Sequence, residues 1–132
     1  MKYMMDTNIC VYIMNKRPVQ VIEKFHRCNM EEIGVSSIVL SELHYGAHKS
    51  QQVEKNLLAI NKFSIPVQVI SYDECAAECC GEIRAMLEKA GTIIGAYDLM
   101  IAAHAISLNA TLITNNLKEF SRIKKLKCEN WV

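Results

Sequence analysis

Short apolar runs alternate with longer helical stretches along the whole of this chain. Lys2 to Met5, Ile33 to Ser36, Pro66 to Ile70, Thr111 to Thr114 and Lys127 to Glu129 read as strands, because each is short, apolar or β-branched and followed by turn or capping residues. Helices are predicted between them. One covers Ile9 to Asn15. A second opens at Pro18, which suits a first helical turn, and runs to about Cys28. Ser37 is the expected N-cap of a third that ends near Ala47. Gln51 to Phe63 carries Val53, Leu57, Leu58 and Ile60 on one stripe. Ser71 to Glu74 matches a capping box; the following helix sets Cys75, Ala76, Cys79, Cys80, Ile83, Met86, Leu87 and Ala90 on one face and stops at Gly91. The segment opened by Gly95 is apolar nearly all round as far as Leu108, the mark of a buried helix, and Asn109 can take the left-handed conformation at its end. Strands alternating with helices predict an α/β fold: three layers, α/β/α, around a parallel sheet of about four to five strands. At 132 residues the whole chain, 1–132, is expected to form a single domain.

The composition narrows the class. No apolar run reaches the ~18 residues of a membrane span, and no basic-then-apolar leader opens the chain, so a cytoplasmic location is expected. Its six cysteines are then free thiols, with Cys75, Cys79 and Cys80 assigned to core packing. A net charge of +1 does not announce a nucleic-acid binder. Even so, Lys118, Arg122, Lys124, Lys125 and Lys127 stand against the single acid Glu119, and Lys16 with Arg17 makes a second basic pair. Such clusters suit phosphates, and a solvated surface is the equal alternative.

The acids are spread over separate elements. Asp6 lies just past the first strand and Glu42 on the helix after the second. Asp98 lies in the first turn of the buried helix, and Asn116 and Glu119 lie past the fourth strand. Ligands of open parallel sheets gather beyond the carboxyl ends of the strands, so one cleft can collect all of these residues. Crowded carboxylates raise one another's pKa unless a cation neutralises them, and a hard divalent cation takes oxygen ligands from several directions. The competing reading is ordinary surface acids, with Asn8 as a helix cap and Asp98 as a capping-type acid.

The residues around the acids add to this. Met4-Met5-Asp6-Thr7-Asn8 opens the chain. Ser41-Glu42-Leu43-x-Tyr45-Gly46-Ala47-x-Lys49-Ser50, Ile94-Gly95-x-x-Asp98-x-x-Ile101-Ala102-x-His104-Ala105 and Thr114-Asn115-Asn116-x-x-Glu119-Phe120-x-Arg122-Ile123 follow in order, with Trp131 near the end. Together they resemble PIN-domain nucleases, in particular the VapC-type toxins of toxin–antitoxin pairs, over essentially the whole length. The resemblance implies a PIN-like fold and an Mg²⁺- or Mn²⁺-dependent endoribonuclease that blocks translation. Its RNA substrate would be transfer RNA (initiator tRNA at the anticodon stem-loop) or a ribosomal RNA loop. A cognate VapB-type antitoxin, a homodimer and a toxin–antitoxin hetero-oligomer are implied as well. In this reading Asp6, Glu42 and Asp98 hold the metal, and Asp6 is the best-fixed ligand. Glu119 acts through water, and Asn116 is a weaker neutral ligand where many relatives carry aspartate. Asn8, Thr7 and Thr114 orient their neighbours. Thr92-Ile93 replaces an Arg-Pro common in relatives, which removes a cation and a rigid turn.

Rival readings are weaker. An aspartyl-nucleophile phosphatase needs a second acid at Asn8, and a dinucleotide-binding domain needs G-x-G-x-x-G after the first strand; neither is present. A non-catalytic PIN-fold module that binds RNA or a partner is the alternative of a different class. His44 and His48 have metal spacing without the catalytic Glu of H-E-x-x-H. His104 is expected to be a core histidine with a satisfied ring. Apolar character in Val53 to Phe63 and around His44 and Tyr45 marks the expected antitoxin groove.

Overall fold

A computed structural model describes residues 1–132. Its elements are β1 (Tyr3–Met5), α1 (Thr7–Met14), α2 (Val19–Arg27), a 3-10 turn (Met30–Glu32), β2 (Ile33–Ser36), α3 (Ser37–Lys49), α4 (Val53–Ser64), β3 (Gln68–Ile70), α5 (Glu74–Ala90), α6 (Ala96–Ser107), β4 (Thr111–Ile113), α7 (Leu117–Phe120) and β5 (Cys128–Glu129). Every strand pairing is parallel, in the order β3-β2-β1-β4-β5. Met4 and Met5, and likewise Leu112 and Ile113, are fully buried. Consecutive strand residues point to opposite faces, so both faces of the sheet centre are covered and the molecule has three layers. The helices α1 to α4 pack on one another, and α5 pairs with α6. The expected α/β sandwich and its parallel sheet are observed, with five strands.

The sheet order places a switch point between β1 and β4. The chain leaves β1 toward β2 and β3, then returns to the other side of β1 as β4, and ligands of such sheets gather in the crevice at that reversal. Asp6 follows β1 and Thr114 follows β4, and the Asp6 amide donates to the Ile113 carbonyl across it at 3.0 Å. The helix α6 runs through the core, with Ile101 to Ala105 all buried.

Three caps differ from the sequence reading. Ser36, rather than Ser37, caps α3, with its Oγ accepting the Ile38 amide at 3.0 Å. Ser37 instead accepts the Tyr72 amide at 3.0 Å. Asp73, rather than Ser71, caps α5, accepting the Ala76 amide at 3.0 Å. Asp6 itself caps α1, so Asn8 does not. In α5 only Ala76, Ile83 and Leu87 are buried. Cys79 and Cys80 are half-buried, and Cys75, Met86 and Ala90 are exposed. The reason is that α5 packs on α6 and presents a narrow stripe. Leu58 of α4 likewise points outward, leaving Ile60 and Phe63 in the core. All six cysteines are free thiols, as expected.

This burial pattern gives an expected outcome. Ile101→Ala should cost about 2–5 kcal/mol in urea unfolding, the range for a truncated, fully buried aliphatic side chain. Met86→Ala, on the exposed side of α5, should stay within about 0.5 kcal/mol. Equal losses would contradict the packing described for α5.

Candidate metal and catalytic site

The site is built at the carboxyl edge of the sheet. Both carboxylate oxygens of Asp6 are engaged: Oδ1 accepts the Ile9 amide at 3.0 Å, and Oδ2 accepts the Thr114 hydroxyl. Thr114 Oγ1 also accepts the Asn116 amide at 3.0 Å, which ties the turn after β4 to the same point. Asp6 is only 5% exposed. Burial pushes its carboxyl pKa up, the Thr114 and Ile9 bonds pull it down, and the nearby charge of Glu42 pushes it up again. On α3, Glu42 Oε1 accepts the Thr7 hydroxyl at 2.8 Å, so the first residue of α1 orients the acid of another helix.

Asp98 is the most perturbed member of the cluster. It sits in the first turn of α6, half-buried. Burial and a proton-sharing contact with the Glu119 carboxyl push its pKa up to about 6, and the charges of Glu119, Glu42 and Asp6 act in the same direction. Glu119 is held in turn by Asn116, whose Nδ2 donates to Oε2 at 3.0 Å. Asn116 thus positions Glu119 and retains its own Oδ1 for a ligand. Asp6, Glu42, Asp98, Glu119, Asn116, Thr7 and Thr114 therefore share one cleft. Asn8 does not join them: it is exposed on the first turn of α1.

The fit to a cation can be judged from the donors. The ion pairs of this protein are Arg84 with Glu88 and Lys125 with Glu82, so no lysine or arginine neutralises the four acids. No three side chains already form a closed ion cage. Magnesium suits such a site, since it takes one or two carboxylates and keeps several waters. The residues present fit a hard divalent cation held by Asp6 and Asp98, with Glu42 and Glu119 around it.

Two features escaped the sequence. Ser36 Oγ and His104 Nδ1 lie 2.8 Å apart, joining the cap of α3 to the middle of α6, and the Tyr72 ring stands edge-on to the imidazole at 5.5 Å. The expectation of a fully satisfied ring needs correcting, because His104 Nε2 is buried without a partner. Burial lowers its pKa, so the ring is neutral. The second is Arg122, whose Nη1 donates to the Ile93 carbonyl at 2.8 Å. Only the proximity of basic residues to motif four hinted at it. His44 is half-buried and His48 exposed, and they form no metal cluster.

The raised pKa of Asp98 sets a pH dependence. Its folded value of about 6 lies above the ordinary 3.8, so the folded state holds the proton more tightly. The penalty is absent at low pH, grows as pH rises past the ordinary value, and is complete above the folded one. Metal-free protein should therefore melt at a lower temperature near about pH 7.5 than near about pH 5.5. Asp98→Asn should shrink that difference, as should Mg²⁺ added to the unaltered protein. A difference that survives in Asp98→Asn would place the strain elsewhere.

Comparison with known proteins agrees with this geometry. The PIN domain family matches residues 3–126. The chain is 42% identical over 132 residues to ribonuclease VapC2 of Haemophilus influenzae, covering 100% of this chain and 99% of that protein. It is 43% identical over 131 residues to the tRNA(fMet)-specific endonuclease VapC of Shigella flexneri, covering 99% of this chain and 98% of the other. Among solved structures, VapBC2 of Rickettsia felis bound to a DNA fragment from its promoter aligns with a TM-score of 0.93 at 45% identity, over the full length of both chains. On these grounds the chain belongs to the PIN-domain family and, within it, to the VapC ribonucleases.

Proposed function

We propose that this protein is an Mg²⁺- or Mn²⁺-dependent endoribonuclease and the toxin of a toxin–antitoxin pair. The observation that carries the reading is the cluster of Asp6, Glu42, Asp98 and Glu119 at the sheet's switch point, with no cation of the protein's own. A full-length likeness to VapC ribonucleases supports it. A divalent ion bound there supplies charge neutralisation at the phosphodiester and acidifies water. The chain's residues do the rest. Asp6, pinned by Thr114 and the Ile9 amide, offers a fixed anionic edge. Thr7 and Asn116 orient Glu42 and Glu119. The Asp98–Glu119 pair holds a proton that a cation would expel. Transfer RNA is the proposed substrate class, with the initiator tRNA anticodon stem-loop favoured by the printed specificity of the Shigella flexneri relative.

A VapB-type antitoxin is the proposed partner, in keeping with the VapBC complex that this fold resembles. A cavity of about 390 Å³ between α1, α3 and α4 is lined by Thr7, Val11, Met14, Glu42, Leu43 and Asn56 among others. It opens beside Glu42, so a cationic antitoxin side chain placed there would pair with the cluster and exclude the metal. No helix is long and apolar enough to cross a membrane, and a cytoplasmic setting is where transfer RNA would be met.

Asp6→Asn should abolish RNA cleavage and relieve growth arrest while the fold persists. Glu119→Gln, predicted to act through water, should lower activity about 10- to 100-fold, less than Asp98→Asn does. Cleavage at the unaltered rate by Asp6→Asn in excess Mg²⁺ would sink the metal-site reading. A larger loss in Glu119→Gln would make it a direct ligand.

The cleaved ends test the nucleophile. Attack by water leaves 5′-phosphate and 3′-hydroxyl ends. Finding 2′,3′-cyclic phosphate would show that the ribose hydroxyl attacks instead, as histidine acid–base chemistry would have it.

A further inference from the structure

We infer that Tyr97 and Arg122 form a nucleotide subsite on the lip of the acidic cleft, where an RNA base stacks on Tyr97 and its phosphate meets Arg122. The inference rests on the ribonuclease reading and says how that site grips its substrate. Of the five tyrosines, four are engaged. Tyr3 packs edge-on against Trp131, and the hydroxyl of Tyr12 accepts from Asn115. Tyr45 lies under the Lys49 ammonium, and Tyr72 abuts His104. Tyr97 is 59% exposed and has no aromatic, cationic or hydrogen-bonding partner. It directly precedes Asp98 in the first turn of α6, so its backbone is fixed by the same helix that carries the acid.

The cation arrives from a different element. Arg122 lies three residues after Glu119, to whose carbonyl its amide donates at 3.1 Å. Its guanidinium reaches the Ile93 carbonyl, in the loop that leads into α6. It makes no ion pair, so its charge is unmatched. One donor of the fork is used on Ile93, and the others remain for a phosphate. Ile93 itself is 64% exposed and extends the apolar lip. An open aromatic face and an unmatched guanidinium flanking a carboxylate cleft form the combination that single-stranded RNA uses, with bases stacking and phosphates pairing. A second copy of this chain would find the aromatic face, but a free guanidinium beside an acidic cleft suits a phosphodiester strand better.

Fluorescence anisotropy in EDTA, where no cleavage occurs, separates the two contacts. The probes are a short labelled oligoadenylate and a matched abasic ribose–phosphate strand. Tyr97→Ala should weaken oligoadenylate binding about five- to a hundredfold and leave the abasic strand unchanged. Tyr97→Phe should keep the stack and bind both strands as the unaltered protein does. Arg122→Gln retains a donor for Ile93 but loses the charge. It should weaken both strands and reduce the salt dependence by about 0.7 in log–log slope, the value for one single-strand phosphate contact. The inference is overturned if Tyr97→Ala binds oligoadenylate normally, or weakens both strands equally. It is also overturned if the only effect of Tyr97→Ala is a dimer turning monomeric in sedimentation, or if Arg122→Gln leaves the slope intact. Should the unaltered protein bind and cut RNA while these variants are silent, this subsite alone is wrong. Failure of the unaltered protein to bind either strand removes the ribonuclease reading along with it.

Discussion

Mutual repulsion among four carboxylates, held together by the fold and left without a protein cation, is the constraint on which the site depends. Each acid comes from a separate element: Asp6 after β1, Glu42 on α3, Asp98 on α6 and Glu119 on α7. Left alone, such charges would drift apart or take up protons. Here packing and hydrogen bonds prevent the drift, so the cost appears as a proton retained by Asp98 up to about pH 6. The stabilising work is done elsewhere, by a contiguous cluster of 29 buried residues that spans the sheet and its helices.

The fold imposes that crowding through a few fixed points. The bond from Thr114 to Asp6 closes the β1–β4 crevice, and Asn116 continues the chain of contacts to Glu119. On the other flank, Ser36 caps α3 and meets His104 of α6, tying the helix of Glu42 to the helix of Asp98. Arg122 ties the stretch after Glu119 to the loop before Asp98. Neighbouring acids are thus linked in pairs by hydrogen bonds that do not involve the cleft itself. That leaves the carboxylate oxygens facing it free to exchange protons for a cation.

Much of this was legible in the chain. The span of β2 was read correctly because Ile33 to Ser36 is β-branched, short and flanked by polar residues. The buried character of α6 followed from its lack of a polar face. The acids were placed in one cleft because a parallel sheet sends everything after its strands to the same edge. What was hidden depended on contacts distant in sequence. Ser36 and Ser37 are equivalent caps on paper, and only the end of β2 decides between them. Asp73 displaces Ser71 as a cap because α5 begins later than its first acceptable residue. The outward turn of Met86 and Cys75 follows from α5 lying on α6, which periodicity alone does not encode. The reach of Arg122 to Ile93 spans 29 residues and leaves no local signal.

The central claim is that the four carboxylates exist to hold a divalent ion. Anomalous diffraction from crystals soaked in Mn²⁺ tests it most directly. The account predicts a peak within coordination distance of Asp6 and Asp98, with Glu42 or Glu119 reached directly or through water, and loss of that peak in Asp98→Asn crystals. Clear density for all four side chains with no peak among them at saturating Mn²⁺, or a peak bound only by His44 and His48, would contradict it.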